Sequence, residues 1–88
     1  MSSKIIEYDL KKPGRDYESL YEAIKAYPVR AHITESTWFV KTDDTCVQVR
    51  DALKEKVDSN DRIFVATLTG EAAWSNLICK SEYLKENL

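Results

Sequence analysis

Glycine, proline and cysteine each occur only twice in these 88 residues, and histidine once. Gly14 and Gly70 stand alone, so the chain cannot build the G-x-G-x-x-G turn of dinucleotide sites or the glycine-rich loop that cradles nucleoside triphosphates. Cys46 and Cys79 lie far apart and fit neither a C-x-x-C motif nor a zinc spacing; reduced thiols in a cytosolic protein are expected. His32 sits between Ala31 and Ile33, with no serine or cysteine at an informative spacing. That leaves a proton carrier without a nucleophile, and a satisfied strand histidine is the expectation. H-E-x-x-H and nucleophile-elbow patterns are absent as well. No apolar run reaches the ~18–20 residues of a membrane span, and Met1-Ser2-Ser3-Lys4 leads directly into a strand pattern rather than a signal-peptide core. A cytoplasmic protein with no membrane partner is therefore predicted. Also missing is an excess of positive charge: thirteen basic residues meet fifteen acidic ones, net −2, whereas proteins held to nucleic acid mainly through phosphates show a basic face.

Length allows a single domain over residues 1–88. Chains of this size bury only ~60–65% of their unfolded surface, which favours dimerisation as extra stabilisation. Lys4 to Asp9 carries a β-branched pair and an aromatic and reads as a strand, with Pro13-Gly14 turning the chain after it. Tyr17, Leu20, Tyr21, Ile24 and Tyr27 recur at steps of three and four and predict a helix over 16–27, capped by Asp16 and ended by Pro28. Between Val29 and Thr42 the residues are mostly β-branched or aromatic; two short antiparallel strands meeting at Glu35-Ser36 are predicted, with one bent strand as the alternative. Asp43 and Asp44 are expected to cap a second helix whose apolar stripe is Cys46, Val49, Leu53 and Val57. After the turn cluster Asp58-Ser59-Asn60-Asp61, Arg62 to Thr69 is the clearest strand, apolar enough on both faces to lie inside the sheet or at a subunit contact. Residues 71–88 form a weakly periodic tail that has to dock on its own sheet or on a partner's. Strand, helix, strand, strand, helix, strand predicts a ferredoxin-like α+β sandwich, βαββαβ, with an antiparallel sheet and both helices on one face.

Chemistry concentrates at the end of the first strand. Asp9 is followed by Lys11, Lys12 and Arg15, the only dense basic cluster. A carboxylate beside three cations ahead of a helix suits a metal or a phosphate anion, and suits equally a turn whose amides hydrogen-bond to Asp9 while the cations stay solvated. Trp38, Phe39 and Trp74 are the right residue types for stacking bases, but strand and tail aromatics are expected to fill core and interface.

The run Tyr8-Asp9-Leu10-Lys11-Lys12-Pro13-Gly14-Arg15-Asp16-Tyr17 and the stretch Glu35-Ser36-Thr37-Trp38 resemble the SinR-like group of small proteins over nearly the whole chain. Through Tyr8-Asp9 and Ser36-Thr37-Trp38 the chain is also similar to the CRISPR-associated adaptation protein Cas-two and, more loosely, to VapD-type endoribonucleases. The resemblance implies a ferredoxin-like homodimer with Asp9 near its symmetry mate, where the pair would hold Mg²⁺ or Mn²⁺ for phosphodiester hydrolysis. Ser36 would add an oxygen ligand or a phosphate contact, and Lys11, Lys12 or Arg15 would neutralise the phosphate. Because one carboxylate is a poor site for an ion that wants octahedral oxygen ligands, two copies of Asp9 are needed. The expected function is a weak or vestigial metal-dependent nuclease or nucleic-acid scaffold. The alternative is a non-enzymatic regulatory module of a toxin–antitoxin, defence or phage inhibitor kind, binding a protein or a small nucleotide.

Overall fold

The computed structural model describes residues 1–11 and 17–88. Strand β1 (Ser2–Asp9) is followed by helix α1 (Glu18–Lys25), strands β2 (Val29–Thr34) and β3 (Thr37–Thr42), helix α2 (Cys46–Lys54), strand β4 (Arg62–Thr67) and a terminal helix α3 (Ser81–Asn87). All strand pairs are antiparallel and the sheet order is β2-β3-β1-β4. The protein is thus a small α+β unit, and the two-strand reading of 29–42 holds, with the turn at Glu35-Ser36. No helix among the described residues is long and apolar enough to cross a membrane.

Period-two alternation in β1 divides the molecule into layers. Ile6 and Tyr8 point toward α1 and α2 and meet Leu20, Ile24, Trp38, Val40, Val49 and Leu53 in the main core. An eight-residue helix is not stable alone; burying Leu20 and Ile24 completely contributes roughly 1.5–3 kcal/mol each and holds α1 in place. The opposite face carries a second cluster in which Phe39 and Ala31 are covered by Leu84, with Trp74, Leu77 and Leu88 packed around them. The tail therefore docks on its own sheet, over β2 and β3. It also occupies backbone groups of the outer strand: the Ile78 amide donates to the Ile33 carbonyl at 3.0 Å, and the Arg30 amide donates to the Tyr83 hydroxyl at 3.3 Å. Gly70, at φ +102°, adopts at the start of that tail a conformation that side chains with a Cβ rarely tolerate.

Three expectations are corrected. The cap of α2 is Thr45, not Asp43 or Asp44: its hydroxyl accepts from the Gln48 amide while the Gln48 side chain accepts from the Thr45 amide, a complete capping box. Helix α1 is shorter at both ends than 16–27, and the Asp16 cap falls outside the described residues. Of the two places expected for β4, inside the sheet or at a subunit contact, the first is excluded, because β4 is an edge of the chain's own sheet. Its two apolar faces have separate causes, because Ile63 and Val65 pack against the main core while Phe64 remains 63% exposed on the other side.

Lys4 is the unexpected member of the helix-facing set, only 5% exposed, with its ammonium donating to the hydroxyls of Ser2 and Thr67. Two neutral oxygens accept from it, and no counter-charge pairs with it among the described residues, so the buried cation carries a desolvation cost that an apolar side chain of similar length avoids. Lys4→Met is expected to leave the urea midpoint unchanged or raise it, whereas Thr67→Val, which removes an acceptor from a buried ammonium, lowers stability by about 1–3 kcal/mol.

Candidate functional site at the end of β1

The last residues of β1 send their side chains alternately to two surfaces. Glu7 and Asp9 lie on the tail-side face, about 7 Å apart along the strand. Register places Thr37 opposite Glu7 on one flank and Arg62 opposite Asp9 on the other. Each carboxylate has partners among its neighbours. Glu7 accepts hydrogen bonds from the hydroxyls of Thr37 and Ser36, the latter at 3.1 Å. Asp9 pairs through one oxygen with the Lys11 ammonium at 2.7 Å and with the Arg62 guanidinium at 3.0 Å. Those hydrogen bonds, from Lys11 first and Arg62 second, hold the Asp9 carboxyl below the usual aspartate value.

Of the residues singled out from the sequence, Asp9 and Lys11 are in direct contact, and Ser36 is tied to Glu7. Lys12 and Arg15 lie outside the described residues. Arg62 and Glu7 escaped sequence reading, although the signal for Glu7 was available: it precedes Asp9 by two positions and must share its face. Among the described residues Asp61 is a loop anchor, while the amides of residues 12–14 that were expected to bond to Asp9 lie outside them. The Asp61 Oδ1 accepts from the Lys11 amide at 2.8 Å and the Tyr17 hydroxyl at 3.1 Å, and its Oδ2 accepts from the Asp58 amide at 2.9 Å. One carboxylate thereby fixes the residues on both sides of the 12–16 segment and the turn that precedes β4.

Asp9 already faces two cations, and among the described residues no group of three or more His, Cys, Asp or Glu side chains is placed to hold an ion. A cation held between Asp9 and its counterpart in a second copy would have to displace Lys11 and Arg62 from Oδ2 or bind through the other carboxylate oxygen.

On the helix-facing side of the same strand end, Tyr8 is 5% exposed and Trp38 is 7% exposed. The Trp38 indole N–H donates to the Tyr8 hydroxyl at 3.1 Å, and that hydroxyl donates to the Glu35 carbonyl at 3.2 Å. Burial pushes the Tyr8 phenol above its usual value, with the Trp38 hydrogen bond pulling the other way. His32, opposite Trp38 in the β2–β3 register, stacks on the indole with ring centroids 4.2 Å apart and planes within 7°. Its Nε2 lies 3.2 Å from the same Glu35 carbonyl. His32 is thus a satisfied strand histidine, as its sequence context suggested. Phe39 and Trp74 fill the tail-side cluster.

Because the folded-state value of Asp9 is depressed, its contribution to stability is present above the unfolded value of ~3.9 and is lost as pH falls through the folded value. An NMR titration is expected to place the Asp9 carboxyl below that of ordinary aspartates, and Lys11→Gln to move it upward more than Arg62→Gln. Asp61→Ala, which strands three donors, is expected to cost roughly 1–3 kcal/mol in denaturant melts. The exposed Asp9→Asn change should shift the midpoint far less. Compared with known proteins, the chain matches no family model and no solved structure.

Proposed function

We propose that this protein is a small cytoplasmic self-associating module with a ferredoxin-like fold, of the SinR-like and Cas-two-like kind, in which the Asp9 site is vestigial as a nuclease and serves the fold. The observation that carries the reading is the contrast between the two sheet edges. On the β2 side the tail occupies backbone groups and covers the adjoining face, whereas among the described residues β4 has no strand beyond it and presents Phe64, 63% exposed. An uncovered edge of sequence Arg-Ile-Phe-Val-Ala-Thr, with no proline and a single charge, invites pairing with another strand. A second copy offers the same edge, and antiparallel pairing about a two-fold axis would bury both Phe64 rings and extend the sheet.

A metal-dependent nuclease acting through Asp9 is the second reading, favoured by one feature: Glu7 and Asp9 share a sheet face, so two copies would bring four carboxylates rather than two. Against it stands the pairing of Asp9 with Lys11 and Arg62. Assays with Mg²⁺ or Mn²⁺ on DNA and RNA separate the readings: the vestigial reading expects no turnover that disappears in Asp9→Asn, and cleavage lost specifically in that variant overturns it.

Light scattering is expected to give a particle of twice the 10.2 kDa chain mass. Phe64→Lys should halve that mass while leaving the far-ultraviolet circular dichroism unchanged. A wild-type protein that stays monomeric at high concentration contradicts the proposal.

A further inference from the structure

Between α1 and the β2–β3 turn the helix-facing side of the sheet opens into a cleft of about 230 Å³, lined by Tyr8, Tyr21, Lys25, His32, Glu35 and Trp38. Four of the six lining residues are aromatic rings. Two of them, Tyr8 and Trp38, are more than nine-tenths buried and locked to each other and to the Glu35 carbonyl by hydrogen bonds. His32 is braced against Trp38 and its Nε2 is held at the same carbonyl, while Tyr21 leans on Tyr8 with centroids 6.2 Å apart. The walls are therefore pre-formed, which lowers the ordering cost of a ligand. The mouth differs in character: Lys25 and Glu35 are exposed, and neither is in an ion pair among the described residues. The volume lies below the ~300–1,000 Å³ of pockets that enclose drug-sized molecules, which suits one ring system inside and a polar remainder outside.

We propose that this cleft binds a ribonucleoside 5′-monophosphate, with the base against the aromatic walls, the ribose hydroxyls on the Glu35 carboxylate and the phosphate on Lys25. Each assignment follows from the lining. A flat base meets π-faces and edges whatever its identity, vicinal hydroxyls donate to a carboxylate, and a phosphate takes Lys25, the one cation among the described lining residues. A larger cleft of about 510 Å³ beside Asp61 fits such a ligand less well. It has no aromatic wall, its Arg50 is already paired with Asp51 at 2.8 Å, and Asp58 and Asp61 share the lining. The site lies on the opposite sheet face from Asp9 and Phe64, so its occupancy is independent of chain pairing and of any hydrolysis.

Isothermal titration with AMP, GMP, CMP and UMP tests the assignment, using the full chain. Binding tighter than about 1 mM is expected, with quenching of Trp38 emission read in a Trp74→Phe background. Lys25→Gln should weaken nucleotide binding about fivefold to tenfold without changing the affinity for the corresponding nucleoside. Glu35→Gln should erase the preference for ribose over deoxyribose. Both positions are exposed, so the variants keep the fold. Absence of heat and of quenching with all four nucleotides overturns the proposal, and so does binding that is unchanged in both variants.

Discussion

Pairing of β1 with β3 on one side and β4 on the other constrains everything else in the molecule. A strand bonded along both edges cannot slip, because a shift by one residue would exchange Ile6 and Tyr8 for Ile5 and Glu7 on the helix-facing side and bury a carboxylate in the main core. With that register set, Tyr8 belongs to one surface and Asp9 to the other. The aromatic network and the carboxylate group, adjacent in sequence, thus become chemically separate. The turn at Glu35-Ser36 joins them, since its Glu35 carbonyl serves Tyr8 and His32 while its Ser36 hydroxyl serves Glu7.

Much of the layering was legible in the residues. Helical spacing marked Leu20, Ile24, Val49 and Leu53, and all four are fully buried. The turn at 35–36 stood out as the one polar break in a β-branched and aromatic stretch. What stayed hidden depends on contacts between distant segments. Nothing near Arg62 in sequence announces Asp9, and only the β1–β4 register brings the two together. Asp61 looks like any turn residue until the chain returns Lys11 and Tyr17 to it. Thr45 was legible through its Thr-x-x-Gln spacing, but two neighbouring aspartates offered a competing cap. Lys4 ran against expectation because its burial is made tolerable by hydroxyls two and sixty-three positions away.

The carboxylate that draws the eye in the sequence turns out to be electrostatically occupied. Asp9 with Lys11 and Arg62 is a cation-rich trio at an exposed strand end, and its depressed titration reflects stabilisation of the charged form rather than tuning toward catalysis. Features suited to binding lie elsewhere: the β4 strand, which bears Phe64 and has no strand at its outer edge among the described residues, and an aromatic cleft whose described lining carries one charge of each sign. Both follow from the same sheet order, which leaves β4 open at one side and sets the His32–Trp38 pair beside the β2 edge, beyond the centre of the main core.

Amide hydrogen exchange, followed residue by residue as protein concentration is raised, tests this arrangement most directly. The sheet order predicts that β1 and β3 amides are the slowest at every concentration, while the outward-facing amides of β4 slow only as chains associate. Fast exchange along β1, or β4 amides protected equally at all concentrations, would contradict a sheet built around β1 with an open β4 edge.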